Sequence, residues 1–239
     1  MRARNLAVPF CLLLFLGLAI AGSIPGAGLL ARRQGWGLLS AEILFVLLII
    51  FFWSFEKGRL SSREVALVAV LGAVAAAGRI PFAALPNVQP TTFLVIASGF
   101  ALGPRAGFMV GSTAALVSNF FLGQGPWTPW QMFAWGLAGS SAGVLKIVFP
   151  NAGSKSVAAF NFLWGYLFGW VMNLWFWAAF TQPPGWKTFL AACAASFWFD
   201  TLHAVGNVLF HKVFGTGLLK ILRRTQRKLT VEEIAGQVF

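Results

Sequence analysis

Stretches of about 20 mainly apolar residues, the length a helix needs to cross a ~30 Å hydrocarbon core, recur along nearly the whole of this chain. A polypeptide patterned this way has few options. Lipid offers the backbone no hydrogen-bond partners, so each stretch must satisfy its own amides, as a helix does. The predicted fold is therefore all-α, a polytopic transmembrane helical bundle with no room for a soluble catalytic domain. Composition agrees, with 58% of residues hydrophobic and 10% charged, against about a quarter charged in soluble proteins.

The first apolar stretch covers residues 6–30 and follows Arg2 and Arg4. Its Ala19-Ile20-Ala21 imitates a signal-peptidase site, so removal of residues 1–21 is one reading. An uncleaved signal anchor is the other, favoured because a second span at 36–55 follows almost at once. Residues 1–55 then form an N-terminal two-helix hairpin, and 56–64 a polar cytoplasmic linker. Six further spans, at 65–85, 91–103, 106–122, 130–149, 156–180 and 187–213, make a six-helix core over 65–215. A basic cytoplasmic tail occupies 216–239. With the N-terminus inside, all but Arg32, Arg33, Arg79 and Lys187 of the 18 basic residues fall on the cytoplasmic side. That asymmetry predicts both termini in the cytoplasm. The net charge of +12 thus belongs to helix ends rather than to a folded basic face, which argues against nucleic acid as a partner.

Chemistry-bearing residues are sparse. Ser196, Asp200, His203, Asn207 and His211 recur every three or four residues, so they share one helical stripe that must face the bundle interior or water. Arg79 lies late in the first core helix, where it could pair with Asp200, fix the first outer loop or attract an anionic substrate group. Ala66, Ala69, Ala73 and Ala77 form a small-residue strip on that helix, suited to close helix approach inside the bundle or to a partner subunit. The outer loops combine Pro, Gly and amides: Asn87 and Gln89 in the first, Gln124, Trp127 and Trp130 in the second, and Thr181-Gln182-Pro183-Pro184-Gly185-Trp186 as the third. Tight turns with an interfacial aromatic belt explain such loops; three of them on one side also suit a substrate lid. Asn119, Gln131 and Trp135 flank the second loop, and flat aromatic faces there suit a conjugated ligand.

Several chemistries are excluded or disfavoured. No G-x-x-x-x-G-K-[ST] loop occurs, so the chain does not bind ATP in the P-loop manner. There is no G-x-S-x-G, H-E-x-x-H or C-x-x-C, and Asp200 with His203 supplies only two ligands, so neither a catalytic set nor a metal site is assigned. No permanently bound cofactor is indicated.

The run Gly78-Arg79-Ile80-Pro81-Phe82 to Pro86-Asn87-Val88-Gln89-Pro90, the segment Ser118-Asn119 through Gly123-Gln124-Gly125-Pro126-Trp127-Thr128-Pro129-Trp130-Gln131-Met132, and Phe199-Asp200-Thr201-Leu202-His203 together resemble the S-components of energy-coupling factor (ECF) transporters, most closely the cobalamin-type subgroup. The resemblance covers roughly residues 64–215. It implies a non-enzymatic membrane subunit of the bacterial inner membrane that captures a vitamin from outside. Such a subunit docks, through a small-residue motif matching the alanine strip, onto a transmembrane T subunit with two ATPases. The ligand would be cobalamin, or else riboflavin, folate, thiamin or a queuosine precursor. Trp127, Trp130, Gln131 and Trp135 would wall the site, Asn87, Gln89 and Gln124 would supply lid hydrogen bonds, and Asp200, His203 and Asn207 would line its floor or lock the helices. An integral-membrane enzyme using Asp200 and His203 as acid and base is one rival, and a structural membrane subunit that binds nothing small is another.

Overall fold

The computed structural model describes residues 44–46, 48–49, 61–181 and 185–238, with side chains as far as 228. All of the expected N-terminal hairpin but residues 44–46 and 48–49, most of the linker, and residues 182–184 of the third outer loop lie outside the described residues. Everything described is helix, turn or loop, and no strand occurs among the described residues.

Among the described residues from 61 onward, seven helices follow in order: α1 Ser62–Arg79, α2 Thr91–Leu102, α3 Pro104–Leu122, α4 Thr128–Val148, α5 Ser154–Phe180, α6 Trp186–Ala195 and α7 Phe197–Val238, with a 3-10 turn Ile80–Phe82 after α1. α1 starts where the polar linker ends because Ser61 and Glu64 cap it reciprocally. The Ser61 hydroxyl accepts from the Glu64 amide at 3.3 Å, and the Glu64 carboxylate accepts from the Ser61 amide at 2.9 Å. This arrangement satisfies two of the amides that a helix start leaves unpaired.

Single helices occupy the first five expected core segments, and the sixth is broken. Residues 187–213 are two helices, α6 and α7, bent by 57° at Ser196, and α7 runs on through residues 216–238. Few of the helices could span a bilayer alone. Among the described residues, Ser62–Phe82 and Ser154–Phe180 are long and apolar enough to cross a membrane, and the α6–α7 pair is a third if taken as one bent span. α3 and α4 are not among them; each carries a cation and an amide, Arg105 with Asn119 and Lys146 with Gln131.

α2 is the centre of the bundle. It has 12 residues, only about 18 Å of helix, and ten of them, from Thr91 to Ala101, are buried. Its neighbours are α1, α3, α4, α5 and α7. A helix apolar on every side is stable only when surrounded, and α2 meets that condition. On the outside of the bundle, Ala66, Ala69, Ala73 and Ala77 are all exposed, beside exposed Val65, Val70 and Val74. The alanine strip therefore faces away from the described core, while Val68, Gly72, Ala75 and Ala76 face into it.

Candidate functional site

At one end of the bundle, α1, α2, α3, α4 and α7 bring their polar residues together around Arg79, the last residue of α1. Its Nε–H donates to Gln89 Oε1 at 3.1 Å. Nη1 donates to Ser118 Oγ at 2.8 Å and to Asn119 Oδ1 at 2.6 Å. The guanidinium also lies 4.9 Å from the centre of the Trp135 ring, a cation–π distance. Asn119 is buried and passes the network on, donating to Thr128 Oγ1 at 3.0 Å and to Gln131 Oε1 at 2.8 Å. Each of these hydrogen-bond partners of Arg79 is a neutral amide or hydroxyl. Of the three roles open to it in the sequence, this geometry fits the second: Arg79 reaches the first outer loop through Gln89.

A second branch leaves Trp135, which is fully buried. Its indole N–H donates to Thr92 Oγ1 at 2.8 Å. Thr92 lies 2.7 Å from His203 Nε2, and His203 Nδ1 lies 2.8 Å from Asn87 Oδ1. Asn87 Nδ2 then donates to the Phe199 carbonyl at 3.2 Å. Asn87 Oδ1 can only accept, so His203 Nδ1 carries a hydrogen. With a neutral ring, Nε2 then accepts from Thr92, and the whole chain runs in one direction from Trp135 to the backbone of α7. The rings stack alongside it: Trp135 on Phe168 at 4.5 Å, and Phe168 on His203 at 5.3 Å.

Asn87 is the element of this chain that holds the first loop against α7, and it does so at φ 56, a left-handed conformation that asparagine tolerates better than most residues. Replacing it separates two effects. Both Asn87→Gly and Asn87→Ala remove the hydrogen bonds to His203 and Phe199, so both are expected to speed hydrogen exchange across residues 83–90. Only the alanine is strained by the positive φ, so it should be less stable than the glycine variant by about 1 kcal/mol in thermal unfolding. Unchanged exchange in both variants would show that Asn87 does not latch the loop.

Residues 59–226, a stretch containing nearly all of the helices above, match the family described as ECF-type riboflavin transporter, S component. The chain belongs to that family. Its members are transport subunits rather than enzymes, and membrane proteins, in keeping with the apolar helices seen here. UPF0397 proteins of Aliivibrio fischeri strains MJ11 and ATCC 700601 / ES114 are each 25% identical over 184 residues, covering 72% of this chain and 96% of theirs. No solved structure matches.

In this S-component the remaining sequence-predicted residues divide into two groups. Gln124 and Trp127 sit on the second outer loop at the edge of the network. Gln124 Oε1 accepts from Thr128 Oγ1 at 2.9 Å, and its Nε2 donates to the Leu116 carbonyl at 3.0 Å. Trp127 meets Trp175 edge to face at 5.9 Å. Trp130 belongs here too: its buried indole N–H finds no hydrogen-bond partner, one residue before the network member Gln131.

Asp200 and Asn207 stand apart from Arg79. Asp200 Oδ2 accepts from Ser196 Oγ at 2.8 Å, and Ser196 Oγ accepts from Asn173 Nδ2 at 2.8 Å. A Cβ placed on Gly169 would fall within 2.6 Å of Asp200 Oδ2, so the carboxyl packs directly on the α5 backbone. Asn207 Nδ2 donates to the Asn161 carbonyl at 3.3 Å. Both residues therefore tie α7 to α5. His203 is the member of the stripe that joins the network, through Thr92 and Asn87 rather than through Asp200, which leaves the acid–base rival without its pair. Among the described residues no cluster of three His, Cys, Asp or Glu could hold a metal ion.

Sequence reasoning misses Thr92, Ser118, Thr128 and Phe168. A signal exists for Thr92, because Thr91-Thr92 is the polar start of an otherwise apolar helix. Nothing distinguishes Phe168 among the 25 phenylalanines.

Proposed function

We propose that this S-component captures a flat, conjugated vitamin at the Arg79–Trp135–His203 network and passes it inward by docking on a T subunit that works with two ATPases. The observation that carries the reading is the convergence of Arg79, Gln89, Asn119, Gln131 and Trp135, drawn from one loop and three helices, into a single cluster. Amide and guanidinium donors around aromatic faces suit a ring system with polar edges. The exposed strip Ala66, Ala69, Ala73 and Ala77 supports docking on the T subunit, since small side chains let a partner helix approach closely. With both termini cytoplasmic, as the basic residues suggest, the network and its loops face outward, where a vitamin arrives.

Cobalamin is the ligand we assign, on the resemblance of the second outer loop, Gly123 to Met132, to the cobalamin-type subgroup. Riboflavin is the second reading, favoured by the name of the matching family. Equilibrium binding of cobalamin, riboflavin, folate and thiamin to the purified full chain in detergent decides between them. Saturable cobalamin binding that Trp127→Ala weakens supports the assignment. Saturable binding of riboflavin alone keeps the S-component reading and moves the ligand. Binding of none of the four by folded protein overturns the proposal.

A further inference from the structure

A cavity of about 890 Å³ opens at the other end of the bundle from Arg79, since α2 presents Thr92 to the network and Phe100 to this cavity. The volume falls within the ~300–1,000 Å³ range of ligand sites. One wall is α7, which contributes Lys220, Arg223, Arg224, Arg227 and Lys228. Spacings of three, four, seven and eight residues put all five on one helical face. No carboxylate lines the cavity among the described residues. The opposite wall is the start of α5: Ser154 lines the cavity, and Gly153 before it supplies no side-chain cap. The first amides of a 27-residue helix thus add partial positive charge to the same space.

Basic residues at a helix end are ordinarily a solvated topology signal. Here they differ in being gathered around a built cavity. Phe100, buried at its base, has Lys146 and Arg223 over its ring at 5.4 and 5.8 Å. His211 Nε2 contacts both Ser154 Oγ and Ser154 O at 3.1 Å, pinning the two walls together. Depth in the membrane is set by α5, whose length and composition suit a full crossing, so its first turn lies at headgroup level. Other faces of α7 carry Val213, Phe214 and Ile221, all well exposed and placed for acyl chains.

We infer that this cavity binds the phosphate headgroup of an anionic phospholipid. The inference is independent of which vitamin the opposite end takes. It is tested with the purified full chain in zwitterionic detergent micelles doped with phosphatidylglycerol or phosphatidylcholine, counting bound lipids by native mass spectrometry. Saturable, phosphatidylglycerol-selective binding is expected. Arg223→Gln with Arg227→Gln should weaken it by roughly fivefold per cation removed, whereas Lys187→Gln, at the start of α6 and outside the cavity lining, should leave it unchanged. Thr216→Trp, which narrows the cavity without altering charge, should also reduce selectivity. Gel filtration and thermal unfolding establish that each variant is folded. Equal binding of the two lipids, or undiminished selectivity in folded Thr216→Trp, would overturn the assignment. Competition by millimolar inorganic phosphate as effective as by phosphatidylglycerol would overturn it in favour of a soluble anion.

Discussion

Gly139→Leu should yield no monodisperse protein on gel filtration after membrane extraction. The reason lies where α2, α3 and α4 meet. A Cβ on Gly139 would overlap the Gly107 carbonyl and lie 2.9 Å from the Gly107 Cα. One on Gly107 would lie 2.6 Å from the Gly99 Cα, and one on Gly99 would lie 2.7 Å from the Gly139 carbonyl carbon. Three backbones therefore touch at one point, each supplying a glycine. Side chains can change rotamer to make room, but backbone in contact with backbone can yield only by moving whole helices apart. Between helices in lipid, where there is little hydrophobic drive to associate, such contact is itself a main source of stability. Overpacking a tight core by one or two methylenes costs about 1–3 kcal/mol; an isobutyl group wedged between three helices goes well beyond that. Gly217→Ala is the matching control. Nothing lies within 4 Å of the added Cβ, and alanine in a helix interior is favoured over glycine by about 1 kcal/mol, so this variant should be as stable as the parent or more so. A folded Gly139→Leu protein would show that the three helices can separate without loss of the bundle. The same packing bears on the site, because a Cβ on Gly111 would lie 2.7 Å from the Gly136 amide nitrogen. The close approach of α3 to α4 there is what holds Trp135 at its depth beside Arg79.

How much of this is legible in the sequence depends on chemical contrast. Arg79, Asn119, Asp200 and His203 stand out because ionisable and amide groups are expensive in apolar surroundings; Arg79, Asn119 and His203 bond to other elements, and Asp200 to Ser196 one turn before it. Their partners are less visible. A threonine or serine hydroxyl can satisfy itself on its own helix, as Ser98 does on the Leu94 carbonyl at 2.7 Å, so Thr92 and Ser118 carry no obligation to look elsewhere. The bend at Ser196 is hidden for a different reason. No Pro or Gly marks it, and residues 196, 200, 203, 207 and 211 keep helical spacing across it, so the segment reads as one helix. The far end of α7 escapes notice because Gly215 and Gly217 resemble a stop. Gly215 instead makes room for His211, whose Nδ1 would be 2.7 Å from an added Cβ. The helix tolerates the glycine in return for a tight ring contact. Pairing of Arg79 with Asp200 is chemically reasonable, but Arg79 directs its donors to Gln89, Ser118 and Asn119, and Ser196 donates to the carboxylate instead.

Arg79→Gln is expected to weaken vitamin binding by about 100-fold, and to do so chiefly by releasing the loops. Arg79 donates to three acceptors at once, Gln89 Oε1, Ser118 Oγ and Asn119 Oδ1. A glutamine is shorter and offers two donors on one nitrogen, so at least one acceptor is left bare at a cost of about 1–3 kcal/mol. The contact with Trp135 is lost as well, worth about 0.5–2 kcal/mol. Together these reach the two orders of magnitude expected, at about 1.4 kcal/mol per tenfold. Arg79→Lys retains the charge but not the planar fork; it should recover part of the Trp135 contact and bind with an intermediate affinity. The pair of variants also separates positioning from direct recognition. If Arg79 acts by fixing the first outer loop, Arg79→Gln should speed hydrogen exchange at residues 87–89 and weaken every bound vitamin by a similar factor. If it also takes an anionic group of the ligand, Arg79→Lys should discriminate, keeping affinity for charged ligands better than for neutral ones. Wild-type affinity and unchanged loop exchange in folded Arg79→Gln would remove Arg79 from the site altogether, and with it the reason for placing the site at this end of the bundle.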